Sequence, residues 1–179
     1  MFCGCKDREA YKKEIVQKNM DYSVGSFLNE AGAGNKERVM LFIKSGMDVN
    51  SRGDKNETAL MMAAANKNPD MVKLLIDNKA DVNAKNNEGY TALMFASSLN
   101  DLKVLERLTE SGADLNDKNN IGETALMLAA LNNNVEAVNF LIKKGADLNL
   151  KNFHGDTALK HAFLNSSLSD ILRKAGAKE

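Results

Sequence analysis

Apolar residues occur in short clusters that are separated by polar stretches, and the clusters return at a fixed interval. The sequence Thr-Ala-Leu-Met stands at 58–61, 91–94 and 124–127, and 157–160 follows at the same interval with Lys in the last place. A second series keeps the same step, with Asp, an aliphatic residue and Asn at 48–50, 81–83, 114–116 and 147–149. A fixed period of this length predicts a solenoid of stacked repeats.

Each repeat contains two short helical patterns. The Thr can accept a hydrogen bond from the first helical turn, and the Ala, Leu and Met after it favour a helix, called helix A. Further along each repeat a second N-cap residue is predicted to begin helix B; these residues are Asn35, Asn68, Asp101, Asn134 and Ser167. Pro69, the only proline, directly follows Asn68, where its missing N–H costs nothing. Met71, Val72 and Leu75 then give helix B an apolar face.

Glycines predict left-handed backbone at two places in each repeat. One place follows helix B and is occupied by Gly46, Gly112 and Gly145. Lys79 takes this place in the second repeat, and we expect it to be held left-handed at a cost of about 1–2 kcal/mol. The other place ends the polar loop before each Thr and is occupied by Gly89, Gly122 and Gly155, with Asn56 in the second repeat. We call this loop the finger and expect it to be hairpin-like.

Together these features resemble the ankyrin repeat. Gly-x-Thr-Ala-Leu-Met-x-x-Ala and Gly-Ala-Asp-Leu-Asn are similar to that family's motifs, although the family usually has Pro and His at the places of Ala59 and Met61. The resemblance covers about residues 20–179. It implies an all-α repeat solenoid of stacked helix-turn-helix units with finger loops, in repeats one to five at about 20–52, 53–85, 86–118, 119–151 and 152–179.

The first and last repeats depart from the pattern, as the caps of a solenoid do. Repeat one has Gly-Ser-Phe-Leu at 25–28 in place of Thr-Ala-Leu-Met, and repeat five has Lys160 in place of Met. Helix B of repeat five is predicted to be shorter by two positions, because Gly176 follows Thr157 more closely than Gly145 follows Thr124. We therefore expect a complete array and not a fragment of a longer one.

The charge balance argues against two classes of partner. The chain has 24 Lys and Arg against 24 Asp and Glu, so it lacks the field that favours nucleic acid or an anionic bilayer. No apolar run is long enough to span a membrane. We expect a cytoplasmic monomer that neither binds nucleic acid nor inserts into a membrane, and the Lys- and Asn-rich usage looks bacterial.

Cys3 and Cys5, the only cysteines, are one residue apart and too few for a zinc site. Residues 1–19 are therefore predicted to be a partly disordered tail with reduced thiols. In the alternative, Phe-Cys-Gly-Cys at 2–5 resembles the end of a bacterial lipoprotein signal, in which a cysteine after a small residue is lipidated. That alternative needs an apolar segment upstream, and Cys5 would then anchor the protein to a membrane.

The sequence contains no arrangement that is typical of catalysis or metal binding. His154 and His161, the only histidines, form no triad or metal cluster, and we interpret them as a finger-tip residue and a packing residue. Lys85 and Lys118 stand where the Asp-x-Asn motifs would need a further calcium ligand. We expect a non-enzymatic protein without a cofactor.

The resemblance also implies a binding surface, because ankyrin-repeat proteins hold partners on the concave side formed by the finger tips and helix A. Transferred to this chain, the finger positions are Asp54, Lys55, Glu57, Asn87, Glu88, Tyr90, Asn120, Ile121, Glu123, Phe153, His154 and Asp156, and the helix A positions are Asn66, Leu99, Asn132 and Asn165. Tyr90, Ile121 and Phe153 are candidate anchors, since large apolar groups are common at binding hot spots. In the alternative, neighbouring fingers bury them against each other.

A column of basic residues leaves a similar choice. Arg52, Lys85, Lys118 and Lys151 stand at the same position before the Thr of each repeat. They either pair one finger with the next or form part of a mixed-charge groove. For the whole chain the hypothesis is a protein-binding scaffold. The alternative is a dedicated inhibitor or immunity-type protein that masks one enzyme or toxin, and it could act as an envelope lipoprotein.

Overall fold

A computed structural model describes residues 3–18 and 20–178, with side chains from Asp7 onward. These residues form eleven α-helices and no β-strand. They divide into two compact units, of which one ends at Asp81 and the other begins at Val82. Within each unit the helices come in pairs that return with the period of the sequence, which confirms the prediction of an all-α repeat solenoid.

The N-terminal unit contains repeats one and two and a preceding helix. The helices are α1 (Cys3–Gln17), α2 (Val24–Ala33), α3 (Lys36–Lys44), α4 (Ala59–Ala65) and α5 (Pro69–Asp77). Helix α4 packs on α2 and on α5, and α1 packs on α3. The largest fully buried side chains of this unit are Ile15, Phe27, Phe42, Leu60, Met61, Met71 and Leu75. The core therefore joins the start of helix A to one face of helix B.

The C-terminal unit contains repeats three to five. Its helices are α6 (Ala92–Ser98), α7 (Leu102–Glu110), α8 (Ala125–Leu131), α9 (Val135–Lys144), α10 (Ala158–His161) and α11 (Ser166–Lys174). The helices A stack in order, with α8 between α6 and α10. Leu and Met of the Thr-Ala-Leu-Met motifs are buried throughout, whereas Lys160 is exposed. The repeated motif thus supplies the buried layer of the stack.

Helix α1 occupies a segment for which the sequence predicted a partly disordered tail. Ile15 is fully buried, and the Lys44 ammonium lies 5.6 Å from the centroid of the Tyr11 ring. Tyr11 and Ile15 are one helical turn apart, so they share one helix face, which can pack on α3. The side chains of Cys3 and Cys5 lie outside the described residues, and so does the prediction that Cys5 carries a lipid.

The helix starts follow the predicted capping chemistry. In repeats two to five the Thr hydroxyl accepts from a backbone N–H of the first helical turn, at 3.3–3.4 Å. Asn68 accepts from the N–H of Met71 at 2.9 Å, and Asp101 accepts from Val104 at 3.1 Å. Asn35 and Asn134 stand at the N-cap without a side-chain capping bond. The left-handed conformation of Lys79 (φ 72°) and Asn56 (φ 58°) is confirmed.

The last repeat differs from the prediction in which helix is short. Helix A is reduced to the four residues of α10, whereas α11 keeps nine residues. The cap of α11 is Asn165, which accepts from the N–H of Leu168 at 3.1 Å, so the predicted cap at Ser167 is wrong. The shortening falls before the cap, because Asn165 follows Thr157 more closely than Asn134 follows Thr124. Asn165, also proposed as a partner contact, therefore has a structural role.

The Asp-x-Asn motifs join each repeat to the next. Within the motif, the Asp side chain accepts from the backbone N–H of the Asn at 2.8–2.9 Å in repeats one, three and four. The Asn oxygen accepts in turn from a backbone N–H of the following repeat, at 2.7–2.9 Å; the acceptor and donor pairs are Asn50 and Asp81, Asn83 and Asp114, Asn116 and Asp147, and Asn149 and Lys178. These bonds brace the stack, as the sequence predicted for Asp and Asn.

Candidate partner-binding surface

Each finger of the C-terminal unit is closed around one asparagine. The side-chain oxygens of Asn86, Asn119 and Asn152 each accept from two backbone N–H groups of their own loop, at 2.8–3.1 Å. Their own N–H groups donate across the base of the finger at 2.9–3.1 Å. Sequence reasoning missed this role, although the three residues recur with the period of the repeat, a signal that could have shown it.

Neighbouring fingers are also bonded to each other. The N–H of Asn120 donates to the carbonyl of Glu88, and the N–H of Phe153 donates to that of Ile121, both at 3.0 Å. Gly122 is required at this contact, because a Cβ there would lie 2.8 Å from the nitrogen of Phe153. Three fingers thus form one hydrogen-bonded row, whose tip side chains are held at fixed spacing.

Tyr90 is packed against its neighbours. Its ring is half-buried and lies 5.6 Å from the ring of Phe95, centroid to centroid. Burial and the Glu123 carboxylate raise the pKa of the Tyr90 hydroxyl, while a hydrogen bond from Asn119 partly offsets them. For Tyr90 the structure therefore favours the alternative, burial between adjacent repeats.

Three more predicted contact residues are used within the fold. Glu123 is 7% exposed and accepts from the Asn119 amide at 3.1 Å, so its carboxylate is not open to a partner as predicted. The Asn120 amide donates to the carbonyl of Asn87 at 2.8 Å. Asp156 pairs with Lys160 at 2.6 Å, and that hydrogen bond lowers the pKa of the Asp156 carboxyl.

The remaining finger-tip residues are open. Ile121 is 48% exposed and Phe153 is 74% exposed. Asn87, Glu88 and His154 are exposed beside them. Because the finger backbone is fixed by the bonds described above, these side chains add little to the stability of the loop, and they are available for contact.

The predicted contact positions on helix A are at the end of the helix. Asn66 and Asn132 are C-cap residues whose amides donate to the carbonyls of Met62 and Leu128 at 2.8 Å, and Leu99 is a half-buried C-cap. Exposed apolar residues that the sequence analysis did not single out lie nearby in repeats four and five; they are Leu131, Phe163 and Leu164.

The N-terminal unit presents a finger of its own. Its backbone closes from the N–H of Gly53 to the carbonyl of Glu57 at 2.9 Å, and the Glu57 carboxylate accepts from the N–H of Lys55 at 2.7 Å. Asp54 and Lys55 are exposed. A shallow groove of about 190 Å³ lies beside this finger, and Leu28 and Met62 help to line it.

The basic column pairs one finger with the next. In the C-terminal unit the ammonium of Lys85 donates to the carbonyl of Lys118 at 3.2 Å and pairs with Asp117 at 2.6 Å. The ammonium of Lys118 donates to the carbonyl of Lys151 at 2.8 Å. For these two residues the interpretation as finger-to-finger pairing is supported.

Within the described chain, no group of three or more His, Cys, Asp or Glu side chains is placed to hold a metal ion. Over the same residues, no helix combines the length and the apolar character that crossing a membrane would require.

Helix pairs that carry a hydrogen-bonded row of fingers with exposed tips define a repeat solenoid built to present side chains. Comparison with known families agrees: "Ankyrin repeats (3 copies)" matches residues 28–119, just over half of the chain, and "Ankyrin repeats (many copies)" matches residues 108–162. The chain belongs to the ankyrin-repeat family, whose repeats generally mediate protein–protein interaction. No curated protein matches the sequence.

Proposed function

We propose that this protein is a non-enzymatic binding module that holds another protein against its finger tips and the exposed ends of helix A. The observation that carries the proposal is Phe153, a large aromatic side chain that is 74% exposed on a finger whose backbone is already fixed. An aromatic group that leaves its area in water contributes little to folding, whereas buried aromatic anchors often dominate protein interfaces. Ile121 on the preceding finger extends the same surface.

The contact set that follows is smaller than the one the sequence predicted. In the C-terminal unit it comprises Asn87, Glu88, Ile121, Phe153 and His154, and in the N-terminal unit it comprises Asp54 and Lys55. Tyr90, Glu123, Asn120 and Asp156 support the surface from within. A partner would therefore meet a few apolar anchors in a mainly polar surround, as is usual for protein interfaces.

Site-specific photo-crosslinking tests this proposal. A benzoylphenylalanine placed at Phe153 in the source cell should give one defined protein adduct, and Ile121→Ser in the same chain should reduce its yield. The matched control carries the same group at Leu102, which is exposed on helix B. Equal adducts from both positions, or none from Phe153, would contradict the proposal. An activity assay on the captured protein would then distinguish a scaffold from an inhibitor.

A further inference from the structure

Repeat five carries the largest groove found in the C-terminal unit's described residues. It has a volume of about 370 Å³ and runs between the finger, α10 and α11. Its lining includes Gly155, Leu159, Lys160, Phe163 and Arg173, and we call it the repeat-five groove. Leu159 is buried at its floor, whereas Phe163 is 72% exposed. The groove therefore offers apolar surface with two cations beside it.

The apolar character follows from the repeat. In repeat four the corresponding face is covered by repeat five, since α8 packs on α10 and Gly122 meets the backbone of Phe153. At Gly155 no described atom lies within 4 Å of the Cβ position. The groove thus has the shape and chemistry of a stacking surface, but in the described chain it faces outward.

The groove also has backbone to offer. The carbonyls of Glu88 and Ile121 each accept a backbone N–H from the next finger at 3.0 Å. The carbonyl at the matching position of repeat five belongs to His154, on an exposed finger tip. An extended segment laid along this edge could donate its own N–H groups there, as in peptide recognition by strand addition.

Charge indicates which segment would fit. Residues 152–178 contain four Lys or Arg against two Asp, whereas residues 119–151 contain three of each sign. Two of the four cations, Lys160 and Arg173, line the groove. Helix α1 of a second copy would bring like charge, because residues 3–18 contain five Lys or Arg against three Asp or Glu. Electrostatic complementarity therefore favours an acidic occupant over self-association.

We propose that the repeat-five groove docks an acidic segment of a partner protein, with one bulky apolar side chain between Leu159 and Phe163 and with carboxylates facing Lys160 and Arg173. This inference rests on the proposed function and adds the chemistry of the partner. It also places part of the contact away from the finger tips of repeats three and four.

Two fluorescein-labelled peptides of equal length test it. One has the core Glu-Asp-Leu-Phe-Asp-Glu and the other has Lys-Lys-Leu-Phe-Lys-Lys, each flanked by Gly and Ser. Fluorescence anisotropy with the full chain should show saturable binding of the acidic peptide only. Phe163→Ser and Arg173→Glu should each weaken it about fivefold or more, on the scale of one anchor or one well-placed charge.

Matched controls lie one residue away. Leu164→Ser removes an equally exposed apolar side chain, and Lys174→Glu makes the same charge change, but neither residue lines the groove. Both controls should leave the affinity within about twofold, and thermal melting should show that all four variants fold.

Three results would overturn the inference: no binding of the acidic peptide, equal binding of the basic peptide, or equal effects of the groove and control substitutions. Self-association in sedimentation velocity that Phe163→Ser abolishes would assign the groove to a second copy and overturn it as well. If the peptides fail while the cross-link from Phe153 persists, the inference about the groove falls and the proposed function stands.

Discussion

Replacing Lys79 with glycine should stabilise the chain by about 0.5–1 kcal/mol, the balance of two opposing backbone effects. Lys79 holds a φ of 72° after α5, where the equivalent residues Gly46, Gly112 and Gly145 have φ values of 98°, 87° and 91°. A left-handed conformation costs a residue with a Cβ about 1–2 kcal/mol. Glycine loses about 0.5–1 kcal/mol more backbone entropy on folding. The difference between the two effects gives the expected gain.

The substitution leaves the local hydrogen bonds in place, because they use only the backbone of this residue. The N–H of Lys79 donates to the carbonyl of Ile76 at 2.9 Å, and its carbonyl accepts from the Asn50 amide at 3.2 Å. The Lys79 side chain is exposed. The change in free energy of unfolding should therefore report the backbone conformation alone.

Urea denaturation and thermal melting would measure the effect, and a gain of this size corresponds to about 1–4 °C for a chain of this length. Lys73→Gly in the middle of α5 is the control and should lose about 1 kcal/mol, since glycine disfavours a helix interior. Gly112→Lys, the reverse change, should also destabilise. If Lys79→Gly is destabilised to the same extent as Lys73→Gly, the argument from left-handed strain is refuted.

Three further predictions concern the C-terminal unit. Gly122→Ala should cost about 2 kcal/mol or more, because its Cβ would meet the next finger at 2.8 Å, whereas Gly155→Ala, with a similar positive φ and no described neighbour, should cost about 1 kcal/mol; denaturation midpoints compare them. Tyr90→Ala should lower stability by about 1–2 kcal/mol, measured by melting, and an unchanged midpoint would show that the ring is not structural. The lowered pKa of Asp156 contributes stability that is present above about pH 4 and is lost as the pH falls through the folded pKa, and Lys160→Met should raise that pKa in an NMR titration.

The sequence was most informative where a local backbone need selects a residue type. The Thr caps, Asn68 before Pro69 and left-handed Lys79 each follow from the chemistry of a single position, and the structure confirms them. The turn between helix A and helix B was missed, although Gly34 marks it. Its equivalents Lys67, Asn100 and Asn133 have φ values of 54–57°, and none is a glycine that would signal a left-handed residue.

The candidate site was less predictable, because contacts between repeats decide which side chains are open. Glu123 and Glu88 stand at similar places along the finger, yet Glu123 is buried beside Asn119 and Glu88 is exposed. Tyr90 looked like an anchor because its burial depends on Phe95 and on the following repeat. A single sequence reveals the period of a repeat more readily than the packing of one copy on another.

The asparagine links between repeats bear on how such a chain can change its length. Each link joins a side-chain oxygen to a main-chain N–H 29 or 31 residues later, and the donor is an Asp in three cases and Lys178 in the fourth. The donor's side chain plays no part in the bond. A recombination event that inserts or removes one whole repeat would therefore leave every donor and acceptor matched. Gene duplication could enlarge the array in such steps without selecting a new set of contacts at the junction.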